Sequence, residues 1–353
     1  MDSKCSSSDN CQSGSLRKIV HQTGDILALA DIPIATTSLK LKDTFGGWKV
    51  RWGIGRSNYT VEPGLYVVGK PDASSPILVS ANYKLTFDLL RKSLAGIDCW
   101  LLILDTKGVN VWCAAGKGTF GTDELVHQIK AAGLAKVVTH RKLILPQLAA
   151  PGISAHRVAR DVGFSVTYGP VRASDIKEFI AVGNQATKEM RAVNFTFWDR
   201  LVLAPMELAI AAKVALSVFG VLFLINLFAQ RPFGIEDFLV YIASILIGAV
   251  IAPALLPVIP GRAFAFKGWL LGAIGTASIV WIFGWFNSPY LLLGIGYMLV
   301  LPAHAAFLTM NFTGASTYTS PSGVLREMRI ALPPIILATV LGIILLLVKA
   351  FTG

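Results

Sequence analysis

Trp100-Leu-Leu-Ile-Leu-Asp105 is a run of five apolar residues that ends in an aspartate. A continuous apolar run of this length is typical of a strand that is buried on both faces of a sheet. Between about Val50 and Asn194 such runs alternate with amphipathic segments, which predicts an α/β layer architecture. The other predicted strands are Leu65–Val68, Ile77–Ser80, Ala135–Thr139 and Ser165–Tyr168, and the predicted helices are Leu85–Ala95, Asp123–Ala132, Ser154–Val162 and Asp175–Val182.

The loop that follows Asp105 is the most unusual part of this region. It runs from Thr106 to Thr122 and has glycine at positions 108, 116, 118 and 121. Open α/β sheets bind ligands in loops at the carboxyl ends of their strands, so this is the predicted binding loop. A nucleotide-binding P-loop does not fit, because glycine instead of Ser or Thr follows Lys117, and Val111 stands where the first glycine is required.

Within that loop, Asn110 precedes the helix-forming run Val111-Trp-Cys-Ala-Ala, and Gly116 is predicted to end the helix. Asn is a favourable N-cap, so Cys113 is expected in the first turn, where free N–H groups and the helix dipole favour a thiolate. Lys117 adds positive charge on the same face. The pattern indicates a cysteine ready to act as a ligand or a nucleophile. Spacing alone leaves a buried structural cysteine open as the alternative.

The composition points to a membrane protein, with 54% hydrophobic residues, 15% charged residues and a mean hydropathy of +0.59. From Leu201 onward the chain falls into apolar stretches close to the length of about 20 residues that a membrane-spanning helix needs. An odd number of spans places the two termini on opposite sides of the membrane. The five predicted spans are approximately Ala204–Phe228, Phe238–Ile259, Gly268–Phe286, Pro289–Met310 and Ile330–Phe351.

Basic residues set the predicted orientation. With the N-terminal part in the cytoplasm, the positive-inside rule is satisfied, and a multi-pass protein of the inner cell membrane with its C-terminus outside is expected. Residues 1–24 have no apolar core of the kind found in signal peptides, and the leader, residues 1–48, is expected to be partly disordered. The inside loops then hold Arg262, Lys267, Arg326 and Arg329, whereas the outside segments hold Arg231 and Lys349.

Three ionisable residues lie within the predicted spans: Glu207, Lys213 and His304. Such residues are costly in lipid, which makes them candidates for transport or proton relay. The structural interpretation is stronger, because Glu207 lies near the cytoplasmic end, Lys213 can pair with it, and His304 can bond to a neighbouring helix. The four cysteines, Cys5, Cys11, Cys99 and Cys113, contain no CxxC pair, which argues against a zinc knuckle or a four-cysteine iron–sulfur cluster.

The segment Asn110-Val-Trp-Cys-Ala-Ala-Gly-Lys117 resembles the cap-helix signature of the corrinoid-binding A subunit of the bacterial and archaeal mercury-methylating system. Supporting segments are Leu143–Gly152, Tyr168–Ala173 and the polar stretch Asn311–Gly323. The soluble domain is also similar to the corrinoid-binding domain of the large subunit of the corrinoid iron–sulfur protein of acetyl-CoA synthesis. The resemblance implies an α/β Rossmann-like corrinoid-binding domain over residues 49–200, followed by an all-α transmembrane domain of five helices over residues 201–353.

The cofactor implied by the resemblance is cobalamin or a related corrinoid, with its nucleotide tail displaced from cobalt and Cys113 as the lower ligand of the cobalt. The implied reaction is methyl transfer from methyl-cobalt to Hg(II), which forms methylmercury. Implied partners are a ferredoxin-like protein with two 4Fe–4S clusters as electron donor, a folate-type methyl donor acting through a methyltransferase, and the membrane, but no nucleic acid. Two alternatives remain, a membrane-bound corrinoid methyl carrier of one-carbon metabolism and a corrinoid-binding membrane transporter or sensor.

The predicted site gathers residues from the binding loop and from two further loops. Those next to Cys113 are expected to lie close to the flat corrin, the glycines to permit close backbone approach, and the threonines to bond to its peripheral amides. Asn82 and Tyr83, after the strand at Ile77–Ser80, and the segment Pro146–Gly152 are expected to form walls of the same pocket. The predicted cofactor-binding residues are Asn110, Val111, Trp112, Cys113, Ala114, Ala115, Gly116, Lys117, Thr119, Gly121, Thr122, Asn82, Tyr83, Pro146, Gln147 and Gly152, with Cys113 also as the catalytic residue and cobalt ligand.

Overall fold

The computed structural model describes residues 32–315 and 321–353, which form two compact units. The first unit is a mixed α/β unit that holds the described residues up to Val50 together with Gly55–Val193. The second unit is helical and holds Arg51–Ile54 together with Asn194–Gly353. A mixed α/β sheet domain followed by an apolar helical region is therefore confirmed.

One five-stranded sheet organises the α/β unit, and helices flank it in the sequence. The strands are β1 (Gly64–Val68), β2 (Ile77–Ala81), β3 (Cys99–Leu104), β4 (Lys142–Leu145) and β5 (Ser165–Tyr168). The helices are α1 (Leu41–Arg51), α2 (Lys84–Ser93), α3 (Val111–Lys117), α4 (Thr122–Ala131), α5 (Leu134–Val137), α6 (Ala155–Val162), α7 (Ile176–Ala181) and α8 (Lys188–Arg191). A 3₁₀ segment, Gln147–Gly152, follows β4.

The strand order is β1-β3-β2-β4-β5, with β1 antiparallel to β3 and all other neighbours parallel. The chain moves from β2 to β3 on one side and then returns to β4 on the other side of β2, so the strand order reverses between β2 and β4. Loops at the carboxyl ends of parallel strands next to such a reversal form the usual ligand crevice of open α/β sheets. The loops that begin at residues 82, 105 and 146 leave the sheet at this edge.

Strand β3 lies inside the sheet, and all six of its residues are buried. Its two faces contribute to separate cores, Leu102 with Phe120 on one side and Leu101 with Phe179 on the other. A strand covered on both faces loses the alternation of apolar and polar residues, which is why the sequence between Trp100 and Leu104 is continuously apolar.

Four of the five predicted strands and all four predicted helices of this unit lie within a few residues of the observed ones. The strand predicted at Ala135–Thr139 is wrong. Those residues follow Gly133, which has φ 55°, and enter the short helix α5, whose Val137 packs into the core without pairing in the sheet. The fourth strand is instead Lys142–Leu145, where Leu143 and Ile144 pair with β2. Both segments are short apolar runs, so local pattern did not distinguish them.

The predicted leader, residues 1–48, overlaps the α/β unit in its described part. Ile34 forms a parallel bridge with Val67 of β1, and α1 begins at Leu41. Asp43 of α1 forms ion pairs of 2.7 Å with Lys84 and with Arg91 of α2. Residues 1–31, with Cys5 and Cys11, lie outside the described residues.

The described residues of the helical unit contain five segments that are long and apolar enough to cross a membrane. Each predicted span overlaps one of them, so the expectation of five apolar helices is confirmed. The segments are Phe197–Asn226, Ile235–Leu255, Phe264–Ile282, Leu291–Gly314 and Ser322–Thr352. Their helices are α9 (Phe197–Leu201), α10 (Ala204–Asn226), α11 (Ile235–Leu246), α12 (Ala252–Leu255), α13 (Phe264–Ile282), α14 (Leu291–Asn311) and α15 (Pro321–Thr352), with a π-helical segment at Ile247–Ile251.

Small residues let these helices approach closely. A Cβ added to Gly268 of α13 would lie 2.3 Å from Thr309 Oγ1 of α14, and one added to Gly272 would lie 2.8 Å from Ala305 Cβ. Helices in lipid associate mainly through such close packing, because apolar burial gives little driving force there. His304 of α14 shares a hydrogen bond of 2.8 Å with Ser244 of α11, which supports its structural interpretation.

Candidate functional site

The predicted binding loop leaves the sheet at the carboxyl end of β3, and Asn82 holds its first turn. Asn82 is buried after β2, and its Oδ1 accepts hydrogen bonds from the backbone N and Oγ1 of Thr106 and from the backbone N of Gly108, at 2.9 to 3.1 Å. Its Nδ2 donates to Asp105 Oδ1 at 3.1 Å. The structure therefore places Asn82 inside the loop as its organiser, whereas the sequence placed it on a pocket wall.

Asp105 and Glu124 complete this turn, and neither is among the predicted site residues. Glu124 accepts a hydrogen bond from the backbone N of Asp105 at 2.8 Å. The Lys107 side chain donates to the Asp105 carboxylate, and this hydrogen bond is the main reason that the pKa of Asp105 lies below its usual value. The position of Asp105 directly after the most buried strand was the available signal.

Asn110 caps α3 as predicted, since its Oδ1 accepts a hydrogen bond from the backbone N of Cys113 at 3.0 Å. The predicted end at Gly116 is wrong. The helix continues to Lys117, and Gly118, with φ 81°, ends it. Helices commonly end at a residue in the left-handed conformation, which glycine adopts without steric cost. Gly118 has this conformation, so it ends the helix instead of Gly116.

The short helix α3 has two different faces. Val111, Ala114 and Ala115 are buried against the core. We call the other face the outer face of α3, and it consists of Trp112, Cys113, Gly116 and Lys117, all of which are exposed. Cys113 thus stands at the surface, and the alternative of a buried structural cysteine is contradicted.

Gly116 leaves the outer face of α3 open beside the thiol. A Cβ added at this position would meet no atom within 4 Å. Trp112, which is 41% exposed, stands on the same face. The helix surface beside the Cys113 thiol is therefore open at Gly116.

The segment after β4 packs directly beneath α3. A Cβ added to Gly152 would lie 2.2 Å from the backbone O of Phe120 and 3.2 Å from Ala115 Cα, so only glycine fits there. Pro146 begins this segment. The sheet order thus brings residues 146–152 next to the binding loop.

Gln147 carries the one buried side-chain polar atom that lacks a hydrogen-bond partner among the described residues. The atom is Oε1, an acceptor. Buried acceptors without partners are rare in folded proteins and call for an explanation, such as a ligand that supplies a donor. The Gln147 amide, which belongs to the segment that packs beneath α3, is therefore a candidate contact for a ligand.

The side chains of three other predicted site residues make their contacts within the protein. Thr122 Oγ1 accepts a hydrogen bond from the backbone N of Ser154 at 2.8 Å, and Thr119 Oγ1 donates to the backbone O of Ala114 at 3.5 Å. Tyr83 is 4% exposed and packs edge-on against Tyr59. Their side chains stabilise the site, and the structure does not bring them to the outer face of α3.

Within residues 32–315 and 321–353, no group of three His, Cys, Asp or Glu side chains is placed to hold a metal ion. Cys99 offers no second reactive thiol, because it is buried at the start of β3, and burial raises its pKa to about 12. Cys113 is the exposed thiol of the described residues, and it can serve as a single soft ligand or as a nucleophile.

Residues 52–180 match the family described as the CO dehydrogenase/acetyl-CoA synthase delta subunit. The acetyl-CoA decarbonylase/synthase complex subunit gamma of Methanopyrus kandleri is 37% identical over 131 residues, which cover 35% of this chain and 27% of that protein. The corresponding subunit of Methanocaldococcus jannaschii is 32% identical over 127 residues, covering 35% and 26%. A gamma 2 subunit of Methanosarcina thermophila is 39% identical over 99 residues, covering 27% and 21%.

The chain therefore spans about a quarter of the length of these relatives. The family match falls almost entirely within the α/β unit. It confirms the coarser part of the predicted resemblance, the likeness to proteins of acetyl-CoA synthesis.

Proposed function

We propose that this chain is a membrane-anchored corrinoid protein that transfers a methyl group to Hg(II). The observation that carries the proposal is the exposed Cys113, capped by Asn110 on an open helix face beside the strand reversal. The likeness of residues 52–180 to a CO dehydrogenase/acetyl-CoA synthase subunit supports a role in methyl-group chemistry.

The residues present fit a corrinoid. The macrocycle is broad and flat and carries amide groups at its rim, and the outer face of α3 offers open space over Gly116 with a thiol beside it. The unpaired Oε1 of Gln147 suits one rim amide, which would donate the hydrogen bond that the protein does not supply. A corrinoid, when bound, would supply the cobalt atom that carries the methyl group.

Cys113 would be the lower ligand of that cobalt, with the nucleotide tail of the cofactor displaced. A thiolate is a soft, electron-rich donor and suits a transition metal. Such a donor favours release of the methyl group together with its bonding electrons. An electrophilic acceptor such as Hg(II) matches this polarity, whereas ordinary methyl acceptors are nucleophiles.

Two partners follow from this proposal. A reductant must replace the bonding electrons that leave with the methyl group. The four cysteines of the chain do not have the spacing typical of an iron–sulfur cluster. A separate ferredoxin-like protein with two 4Fe–4S clusters would supply electrons. A folate-type donor, acting through a methyltransferase, would supply methyl groups.

The proposed site consists of the outer face of α3, the glycine-rich turns around it and residues 146–152 beneath it. The proposed domains are residues 49–200 for the cofactor and residues 201–353 for the membrane. We place the first in the cytoplasm and the C-terminus outside, because the basic residues of the connecting loops favour that orientation.

A second candidate is a membrane-bound corrinoid methyl carrier of one-carbon metabolism. The observation that favours it is the likeness of this chain to subunits of acetyl-CoA decarbonylase/synthase complexes. The two candidates share the cofactor site and differ in the acceptor.

The test uses the purified full-length chain. Its absorption spectrum after incubation with cobalamin reports uptake of the corrinoid, and the methylated protein is then offered either Hg(II) or a thiolate nucleophile under anaerobic conditions. We expect about one methylmercury per bound corrinoid, and multiple turnovers only with a low-potential ferredoxin and a methyl donor. Transfer to the nucleophile alone would favour the carrier, and failure to bind cobalamin would overturn both candidates.

A further inference from the structure

Helix α1 carries an apolar stripe on its solvent side. Leu41, Phe45 and Trp48 follow one another at the spacing that places residues on one face of a helix. They are 83%, 69% and 64% exposed, respectively. We call these three residues the outer stripe of α1.

The opposite face of α1 fixes the helix to the α/β unit. A Cβ added to Gly46 would lie 2.4 Å from Tyr59 Oη, and one added to Gly47 would lie 3.3 Å from Leu85 Cδ1. Asp43 on this side pairs with Lys84 and Arg91. The inner face is therefore closely packed, so the outer stripe is held outward by a well-fixed helix.

Positive charge flanks the outer stripe. Lys42 and Lys49 are exposed, and Arg51 ends the helix. Asp43 is the sole acidic residue of α1, and it is turned inward. Exposed apolar side chains bordered by lysines suit the surface of a membrane, where the apolar residues face the acyl chains and the lysines reach the headgroups.

The chain leaves α1 directly into Arg51–Ile54, and these residues group with the helical unit that contains the five membrane-length segments. Ile54 is also exposed, at 59%. Among possible occupants of the stripe, the positive charge that borders it singles out lipid of negative charge.

We propose that α1 lies on an anionic phospholipid surface, with the outer stripe inserted among the acyl chains and Lys42 and Lys49 bound to lipid phosphates. The proposal rests on the membrane anchoring proposed above. Such a helix adds a second membrane attachment, at the surface of the bilayer, to the spans that cross it.

The test uses the full chain in lipid nanodiscs. Thr44 is exposed beside the outer stripe, and a Thr44→Cys variant, with Cys5, Cys11 and Cys113 replaced by serine, takes an environment-sensitive dye. In discs with about one third anionic lipid we expect a blue-shifted emission and quenching by a spin label attached near the lipid headgroup. Lys42→Glu combined with Lys49→Glu should reduce that quenching at least about threefold, as should purely zwitterionic lipid.

A matched control places the same dye at Val182→Cys, an exposed position of the α/β unit after α7. Its emission should not depend on lipid charge. A Thr44 dye that stays accessible to a water-soluble quencher in anionic discs would overturn the proposal, and so would shielding that requires an added protein instead of lipid. Size-exclusion chromatography reports separately whether the chain enters the discs, and a chain that fails to do so would overturn the proposed anchoring as well.

Discussion

Cys99 is the first residue of β3, and Cys113 lies a short distance after the end of that strand. Their surroundings are opposite in kind. The region around Cys99 is closed: the thiol is buried in a core to which α2 contributes Phe87 and Leu90, and the buried charges of α2, Asp88 and Arg91, form ion pairs. The region around Cys113 is open, with an exposed thiol and an unpaired Gln147 Oε1. Most polar side chains of both regions are paired within the protein, and the open region differs in one buried acceptor, Gln147 Oε1, that has no partner among the described residues.

The sharpest test of this difference exchanges each cysteine for alanine. We expect Cys113→Ala to lower methyl transfer at least about 100-fold, because the proposed sulfur ligand is removed, while the chain still folds. Cys99→Ala should leave the activity largely intact. X-ray absorption at the cobalt edge should show loss of sulfur from the first shell in the Cys113 variant alone, and an unchanged shell there would refute the ligand assignment.

Two glycines of the open region should respond in opposite ways to alanine. Gly152→Ala forces a Cβ to within 2.2 Å of the Phe120 carbonyl, so we expect a loss of about 3 kcal/mol in the free energy of unfolding and weaker corrinoid binding. Gly116→Ala has free space and should not lower the stability, but it should weaken corrinoid binding if the ligand lies on that face. Thermal unfolding and cobalamin titration separate the two effects. Equal stability losses in both variants would contradict the structure.

The ion pairs of the closed region should make the free energy of unfolding depend on pH. Burial acts to raise the pKa of Asp43, but hydrogen bonds from Lys84, the Lys40 backbone and Arg91 outweigh it and lower the pKa from 3.8 to about 2. A lowered pKa stabilises the fold above the unfolded-state value, and this contribution disappears as the pH falls from 3.8 toward 2.

Asp43→Asn should therefore cost about 2 kcal/mol at neutral pH, and the difference from the wild type should shrink below pH 3.8. Denaturant unfolding at several pH values measures this difference in the free energy of unfolding. Asp72→Asn is a suitable comparison, since that carboxylate is exposed and bonds only to neighbouring serines of its own turn. A pH-independent difference for Asp43 would exclude the ion pairs as its cause.

The open region can be probed without disturbing the fold through Gln147. Gln147→Leu removes the unpaired acceptor, so the stability of the ligand-free chain should stay equal or rise slightly. We expect the affinity for cobalamin to fall about tenfold, as one hydrogen bond to the ligand is lost. A variant that binds cobalamin as tightly as the wild type would show that this amide faces no ligand.

The smallest expected effect is the loss of the α3 cap. Asn110→Ala removes the hydrogen bond to the Cys113 backbone N and should cost about 1 kcal/mol, whereas Asn110→Asp or Asn110→Ser should retain most of the stability. Hydrogen exchange of the α3 amides gives the local measurement. Faster exchange in all three variants alike would show that the side-chain cap is not what holds this turn.

Patterns within a few residues of one another determined much of this protein. The apolar run from Trp100 to Leu104 predicted its strand, Asn110 predicted its cap, and the length of the C-terminal apolar stretches predicted five membrane-length helices. Each of these features depends on backbone hydrogen bonding or hydrophobic periodicity over one element, which a single sequence displays directly.

Only the tertiary structure decided what meets across the sheet. The short runs at Ala135–Thr139 and Lys142–Leu145 look alike, and pairing with Ile77 and Leu78 selected the second as the strand. The pairing of Lys142–Leu145 with β2 also places Gly152 and Gln147 beneath α3. The hydrogen bonds of Asn82 place that residue in the binding loop. These contacts join residues 24 to 66 positions apart, and their formation depends on strand order and side-chain packing, which local sequence patterns do not encode.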